Sequence, residues 1–190
     1  LSPQIQLSHN QQNILQSLKK LPSWSTSLLY WVTGSGKTQI YIKLIQEVIT
    51  SWWQALLLIP EIILTSQIGE KLQKYFWKDI IFIHSHISPL KKIQYYRDIA
   101  SGDAQIIIWT RSALFYPYHS LKYIIIDEEH DKSYISDTSP RYHTKTLALK
   151  MSEIYRSSLL LWSWTPNLDS LYRWLQGEYH FFQLLESYKK

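Results

Sequence analysis

Short apolar runs alternate with segments of helical spacing along most of this chain, and that alternation restricts the folds it can adopt. The runs contain few polar positions, which is typical of strands covered on both faces, as in a parallel sheet. They predict strands at Leu28–Val32, Ala55–Ile59, Ile80–His84, Gln105–Thr110, Tyr123–Asp127 and Ser158–Ser163. Helical spacing predicts helices at Lys37–Ile49, Leu64–Phe76, Pro89–Ile99, Thr144–Ile154 and Leu168–Trp174.

A chain that alternates strand and helix in this way is predicted to form an α/β domain with a doubly wound, mainly parallel sheet. Ligands of such sheets bind at the carboxyl ends of the strands. The length of 190 residues, 45% of them hydrophobic, predicts a single domain over residues 1–190. The segment Asp131 to Arg141 is the clearest long polar loop.

Composition excludes several classes of function. The chain has no cysteine, which excludes disulfides and cysteine-bound zinc from this segment. Its apolar runs are shorter than the roughly 18 residues of a membrane helix, and its amino terminus lacks the layout of a signal peptide. These features predict a soluble, cytoplasmic protein with no membrane partner. The net charge of +5 suits a polyanionic partner without identifying one.

A glycine-containing turn lies between the first predicted strand and the next predicted helix, which is the setting of a phosphate-binding P-loop. Its residues are Thr33, Gly34, Ser35, Gly36, Lys37 and Thr38. In such a loop the backbone amides and the helix N-terminus face the phosphates, Lys37 reaches the outer phosphates and Thr38 ligates magnesium. The pattern therefore predicts binding of ATP and Mg²⁺.

An acidic cluster follows the apolar run at 124–126, ninety residues beyond the P-loop lysine. Asp127 is suited to hold magnesium, and Glu128 is suited to orient and deprotonate the water that attacks the outer phosphate. We therefore expect Lys37, Asp127 and Glu128 to be the catalytic residues of ATP hydrolysis. A small-molecule kinase is disfavoured, because no acceptor-binding element is recognisable.

Further motifs make a family resemblance specific. The Asp127–His130 segment resembles the DEAH box in its DEEH form, and Pro140–His143 matches a PRYH element. Pro60–Thr65 resembles PEIxLT, Trp109–Phe115 resembles GTRSALF, and Trp162–Pro166 resembles the GSATP or GSGTP of motif III. By these five ordered motifs, from about Leu7 to about Leu185, the chain resembles superfamily two DEAH-like DNA helicases, and most closely the PriA-type primosomal replication-restart helicases.

The resemblance implies a RecA-like ATP-binding lobe, the first of two motor lobes, that acts on single-stranded and forked DNA. It implies a second lobe with an arginine finger, a zinc region and an amino-terminal DNA-binding region, none of which the 190 residues contain. It also implies replication-restart proteins as partners and movement from three-prime to five-prime. We therefore expect feeble or no unwinding by this segment alone.

The resemblance also assigns roles to individual residues. Gln11 resembles the glutamine that contacts adenine, although a solvated helix face is the plainer interpretation. A second set is expected to contact single-stranded DNA, with ordinary loop capping or a bare surface loop as the alternatives: Thr65, Thr110, Arg111, Arg141 and Tyr142. A third set is expected to relay the nucleotide state to the DNA site: His130, Ser163 and Thr165.

Several tryptophans stand where the motifs have glycine. Trp31 occupies the first glycine position of the P-loop pattern, where a bulky side chain crowds the turn. The nine tryptophans and five glycines together match the roughly 13 glycines expected for this length. The hypothesis that follows is that UGA codons read as glycine were translated as tryptophan at six positions, namely Trp31, Trp52, Trp77, Trp109, Trp162 and Trp164.

Two other functions remain open. If Trp31 is genuine, the chain could be a DNA-binding module whose nucleotide site has decayed. Another superfamily two translocase, such as a branch-migration or restriction motor, shares the ATP-site motifs, although the PRYH and GTRSALF elements argue against it.

Overall fold

The computed structural model describes residues 5–60, 72, 75–76, 80–83, 87–137 and 139–186, without the side chains of Phe82 and Trp109. Its helices are α1 (His9–Lys20), α2 (Lys37–Thr50), α3 (Pro89–Ser101), α4 (Thr144–Tyr155) and α5 (Leu168–Leu175). Its strands are β1 (Thr26–Trp31), β2 (Gln54–Leu58), β3 (Ile80–Ile83), β4 (Ile106–Trp109), β5 (Leu121–Asp127), β6 (Ile135–Ser136), β7 (Tyr142–His143), β8 (Ser158–Ser163) and β9 (Tyr179–Leu184). Two short 3-10 helices lie at Arg111–Phe115 and Lys132–Tyr134.

Seven strands form one sheet in the order β3-β4-β2-β5-β8-β1-β9. Every neighbouring pair in this sheet is parallel. The predicted α/β class with a doubly wound parallel sheet is therefore confirmed. Because β8 pairs with β5 on one side and with β1 on the other, the carboxyl ends of these three strands meet at one edge of the sheet.

The central strands are buried on both faces. All five residues of β2 are buried, and its side chains alternate between two hydrophobic layers, with Leu57 in one layer and Leu56 and Leu58 in the other. Each fully buried leucine contributes about 1.5–3 kcal/mol through the hydrophobic effect. The continuous apolar runs in the sequence therefore reflect cover on both sides of the sheet.

Most predicted elements are present, with ends that differ by at most two residues. The edge strand β9 was not predicted, because its central residues are half-exposed or exposed and its sequence mixes polar and apolar positions. The predicted loop at 131–141 instead contains the second 3-10 helix and β6, which pairs with β7. The predicted helix Leu64–Phe76 lies outside the described residues, apart from Leu72, Tyr75 and Phe76, which are helical.

None of the described helices is long and apolar enough to cross a bilayer.

Candidate functional site

The P-loop forms the turn between β1 and α2. Gly34 and Gly36 have φ angles of 79° and 75°, in the left-handed region where a side chain would strain the backbone. The amide of Ser35 donates to the carbonyl of Val32 at 3.1 Å, and α2 begins directly after Gly36. This geometry places the N-terminus of α2 at the carboxyl edge of the sheet. The N-terminus of a helix carries partial positive charge and favours anions.

Lys37 joins the P-loop to the end of β5. Its Nζ lies 2.6 Å from Asp127 Oδ1 and 2.6 Å from Glu128 Oε1. All three side chains are largely buried. The sequence predicts this convergence from two motifs ninety residues apart, and the structure brings them together.

The two carboxyl groups are held in an environment that disfavours their ionised forms. Burial raises the pKa of Asp127, although the nearby Lys37 ammonium opposes the shift. Burial also raises the pKa of Glu128, again against the effect of Lys37. Raised pKa values of this kind are common at catalytic sites, because they bring a carboxylate closer to the range of a useful general base.

The donor set at this edge fits magnesium. Asp127 Oδ2 and Glu128 Oε2 are buried and have no hydrogen-bond partner among the described residues. Magnesium is bound by one or two carboxylates together with phosphate oxygens and water, so it needs few protein ligands. Thr38 adds a hydroxyl in the first turn of α2. Within the described ranges, no three His, Cys, Asp or Glu side chains cluster as a metal site.

Gln11 contacts the P-loop from α1. Its side chain is fully buried, and Nε2 donates to the Ser35 carbonyl at 2.8 Å. Its Oε1 accepts from the amide of Ser8 at 2.8 Å, as part of the capping box that begins α1. Gln11 therefore ties α1 to the backbone of the P-loop, and its predicted contact with adenine stays a prediction.

Trp31 packs its ring against the Lys37 ammonium. The centre of its ring is 3.7 Å from Lys37 Nζ, a distance at which a cation is attracted to an aromatic face. The indole is 9% exposed, and its Nε1 is buried with no hydrogen-bond partner in the described part of the chain. The lysine thus contacts an aromatic ring and two carboxylates.

The three residues predicted to relay the nucleotide state form one hydrogen-bonded group. His130 Nδ1 lies 2.7 Å from Ser163 Oγ, which also accepts from the amide of Thr165 at 3.1 Å. His130 directly follows the acidic cluster, and Ser163 ends β8. The group therefore connects the end of β5 to the turn after β8.

Arg111 lies at the start of the 3-10 helix that follows β4. Its Nη1 donates to the carbonyls of Ser133 at 2.9 Å and Ile135 at 2.6 Å. Thr110 precedes it and lines a small cavity together with Arg111 and Ser133. Arg111 therefore fixes the segment 133–135, a contact that the sequence did not predict.

Tyr142 lies beside the same 3-10 helix. Its ring meets that of Phe115 edge-on, with centroids 5.1 Å apart. Burial raises the pKa of Tyr142, and the neighbouring Arg111 opposes the shift. Arg141 is exposed. The structure thus brings Arg111 and Tyr142 together and leaves Arg141 open to a ligand, whereas Thr65 lies outside the described residues.

Tyr134 is a site residue that the motifs did not indicate. It is fully buried, and its hydroxyl lies 3.0 Å from the carbonyl of Leu58 and 2.7 Å from that of Asp127. Burial raises its pKa well above the ordinary value, so the hydroxyl stays protonated and donates. The available signal in the sequence was an aromatic residue within a polar segment. Such a tyrosine tends to be buried with its hydroxyl hydrogen-bonded.

Comparisons with known proteins identify the family of the chain. A family model described as DEAD/DEAH box helicase matches residues 5–173. The chain is 42% identical over 167 residues to the replication restart protein PriA of Helicobacter pylori strain J99, covering 88% of this chain and 26% of that protein. It is 39% identical over 157 residues to PriA of Bacillus subtilis strain 168, covering 83% and 20%. These relatives confirm the predicted resemblance to PriA, and the chain spans about a quarter or less of their length.

Solved structures show the same fold. The structure of RecG bound to a three-way DNA junction aligns with a TM-score of 0.68 at 18% identity, covering 99% of this chain and 25% of that one. The DUF1998 helicase MrfA bound to DNA aligns with a TM-score of 0.65 at 20% identity, covering 95% and 27%. The family match over residues 5–173 decides the classification, and the chain belongs to the DEAD/DEAH box helicases.

Proposed function

We propose that this chain is the ATP-hydrolysing motor lobe of a replication-restart DNA helicase that translocates on single-stranded DNA. The observation that carries the proposal is the position of Lys37 Nζ, 2.6 Å from both Asp127 Oδ1 and Glu128 Oε1. It supports a shared site for a triphosphate and a divalent cation. Because bacterial DNA lies in the cytoplasm, we also propose that the protein acts there.

The roles of the residues follow from their chemistry. The backbone amides at 34–36 and the N-terminus of α2 bind phosphate oxygens, and Lys37 neutralises their charge. Thr38 and Asp127 would hold Mg²⁺, and the bound metal would supply positive charge that stabilises the transferred phosphate. Glu128 orients the attacking water and accepts its proton, a role supported by its raised pKa.

The proposed DNA contacts are connected to this site through the segment 133–135, which Arg111 contacts and in which Tyr134 donates to the Asp127 carbonyl. Arg141 and Tyr142 combine a cation with an aromatic ring, which suits phosphate binding and base stacking on unpaired DNA. Thr110 and Arg111 add a hydroxyl and a guanidinium at the end of β4. We propose that the His130–Ser163–Thr165 group carries the nucleotide state toward these residues. The DNA-bound forms of RecG and MrfA support DNA as the ligand.

The activity of the whole protein is proposed from its relatives. PriA proteins are named for replication restart, and this chain resembles one segment of them. We therefore propose forked DNA as the substrate, replication-restart proteins as partners, and a second motor lobe that completes the ATP site. The described chain alone is expected to bind ATP and to hydrolyse it weakly.

One observation favours a second candidate, a DNA-binding module with an inactive nucleotide site. Trp31 packs its indole against Lys37 and occupies the first glycine position of the P-loop pattern. ATP binding by the wild type and by Trp31→Gly separates the two candidates. If the wild type binds ATP, or if Trp31→Gly restores binding, the nucleotide site is intact apart from the ring and the motor function is favoured. If neither form binds ATP, the module with an inactive site is favoured.

The test of the motor function separates binding from hydrolysis. Glu128→Gln removes the proposed base and keeps the size of the side chain, so we expect ATP binding within about threefold of wild type and hydrolysis lowered by at least about a hundredfold. Binding is measured with a fluorescent ATP analogue and hydrolysis by phosphate release. Glu153→Gln, at an exposed acid on α4, is the matched control and should leave both unchanged. Equal hydrolysis by Glu128→Gln and wild type would exclude the proposed mechanism.

A further inference from the structure

A second acidic group lies directly after the proposed catalytic pair. The carboxylate of Glu129 is completely buried, and its environment differs from that of Asp127 and Glu128. Oε1 accepts from the amide of Asn167 at 2.8 Å, and Oε2 accepts from Asn167 Nδ2 at 3.2 Å and from Ser170 Oγ at 3.0 Å. Both oxygens of Glu129 are therefore hydrogen-bonded.

A buried cation completes this group. Lys145 Nζ lies 3.6 Å from Glu129 Oε2 and 2.7 Å from Asp169 Oδ2, and it donates to Ser170 Oγ at 3.0 Å. The lysine comes from the first turn of α4, and the other partners come from the start of α5. Glu129 thus fixes both helices against the end of β5.

The neighbours of Glu129 in the chain connect these contacts to the proposed nucleotide site. It stands between Glu128, the proposed base, and His130, which contacts Ser163. Its backbone amide donates to the carbonyl of Trp162 at 2.9 Å, so it also fixes the end of β8. On the far side, α4 follows directly after Tyr142 and His143, the end of the candidate DNA-contact segment.

We propose that Glu129 is a positioning residue that couples the nucleotide site to the DNA-contact segment through Lys145 and Asn167, an inference that rests on the proposed motor function. A shift at the acidic end of β5 moves the turn after β8 and the start of α4 together, because one carboxylate is bonded to both. A carboxylate suits these partners because both of its oxygens accept hydrogen bonds. A glutamine would turn its amide N–H groups toward N–H donors or toward the Lys145 ammonium.

The test measures how strongly nucleotide and DNA affect each other's binding. The affinity of the chain for a fluorescent oligo-dT is measured by anisotropy without nucleotide and with a non-hydrolysable ATP analogue and Mg²⁺. We expect a nucleotide-dependent change of at least about fivefold in the wild type, within the usual range of allosteric coupling, and a change below about twofold in Glu129→Gln. Affinity for the ATP analogue alone should stay within about threefold of wild type in this variant.

Two further variants keep the test decisive. Asn167→Ala removes one side-chain donor to Glu129 and retains the charges, so it folds even if Glu129→Gln does not, and it should lower the coupling in the same direction. Glu153→Gln is the isosteric control. The inference is overturned if Glu129→Gln and Asn167→Ala couple as strongly as wild type, or if wild type binds the ATP analogue and DNA without coupling. Failure of both the wild type and Trp31→Gly to bind ATP would instead overturn the proposed function.

An independent observation concerns the tryptophans. Trp24 and Trp52 have φ angles of 61° and 58°, a conformation that is an outlier for a bulky L-residue and ordinary for glycine. They are 57% and 84% exposed, so little burial compensates for the strain. Trp31 and Trp162 are buried, and each has an indole N–H without a hydrogen-bond partner in the described part of the chain.

We infer that positions 24, 31, 52 and 162 are glycine positions of this fold, which adds Trp24 to the positions that the motifs and turns indicate. The codons in the source gene and the mass of the natural protein test this inference. UGA codons and the lower mass of glycine at these positions are expected, whereas UGG codons and tryptophan mass would overturn it.

A stability measurement gives a second test. Trp52→Gly should raise the melting temperature by about 2–4 °C, because it removes a left-handed strain at an exposed site. Trp53→Gly is the matched control, because Trp53 follows Trp52 directly and has no positive φ. This change should lower the melting temperature. A lower melting temperature for Trp52→Gly than for wild type would contradict the inference.

Discussion

Two buried acidic groups follow one another at the carboxyl end of β5, and they differ in how their oxygens are used. Asp127 and Glu128 share the ammonium of Lys37, and each keeps one buried oxygen without a hydrogen bond in the described structure. Glu129 has hydrogen bonds to both oxygens. The open group, Asp127 and Glu128, is costly for folding and is suited to bind a ligand. The saturated group, Glu129 with both oxygens hydrogen-bonded, stabilises the fold.

The largest expected effect on stability is the loss of the Glu129 carboxylate. Glu129→Ala should lower the free energy of unfolding by about 3–5 kcal/mol, because the Asn167 amide and the Ser170 hydroxyl lose a buried acceptor and Lys145 is left paired with the exposed Asp169 carboxylate. Chemical denaturation measures this value. Glu153→Ala, at an exposed acid on the same helix as Lys145, should change it by less than about 0.5 kcal/mol. Equal, small effects at Glu129 and Glu153 would remove the contrast between the two groups.

The open group should respond differently to loss of a charge. Asp127→Asn should change the free energy of unfolding by less than about 1 kcal/mol, because it removes a poorly solvated carboxylate while Glu128 remains to pair with Lys37. A loss as large as that of Glu129→Ala would show that Asp127 is mainly a structural residue.

The pH dependence of the free energy of unfolding tests the open group, Asp127 and Glu128. The folded-state pKa values of Asp127 and Glu128 lie above their ordinary values of 3.8 and 4.5, so the folded chain retains protons that the unfolded chain has released. Their contribution is therefore most favourable below about pH 4 and declines as pH rises through the raised pKa values. The difference in unfolding free energy between wild type and Asp127→Asn, measured by urea denaturation across this range, should shift in favour of the variant as pH rises. A constant difference would contradict the assignment.

A modest effect is expected at Tyr134, whose hydroxyl contacts the carbonyl of Asp127. Tyr134→Phe should lower the free energy of unfolding by about 1 kcal/mol, because the carbonyls of Leu58 and Asp127 lose a buried donor. Tyr96→Phe, at an exposed tyrosine, is the control for urea denaturation. No difference between the two variants would show that the hydroxyl contributes nothing to holding the ends of β2 and β5.

The sequence predicted the site of Asp127 and Glu128 but not the contacts of Glu129, because only the former follows from a recognisable motif. Lys37, Asp127 and Glu128 belong to motifs whose setting, a strand followed by a turn, is visible in the sequence. Glu129 has the same residue type as Glu128, but its partners lie on α4 and α5, and nothing local pairs them. For the same reason the Arg111 contacts with the segment 133–135 could not be predicted.

The fold shows a similar division. The central strands were predictable because burial on both faces makes them continuously apolar, whereas β9 pairs on one side with β1 and has a mixed sequence. The β6 and β7 strands pair within a polar segment, next to contacts of Arg111 with backbone carbonyls that leave no pattern in composition.

The most direct test of the account is the magnesium dependence of ATP binding. Calorimetric titration of the chain with ATP, with and without Mg²⁺, should give tighter binding with the metal in the wild type. Asp127→Asn should lose that dependence, and Lys37→Ala should weaken binding by at least about tenfold under both conditions, while Lys43→Ala on the same helix binds as wild type. If ATP binds equally well to wild type, Lys37→Ala and Asp127→Asn, the two motifs do not form one nucleotide site.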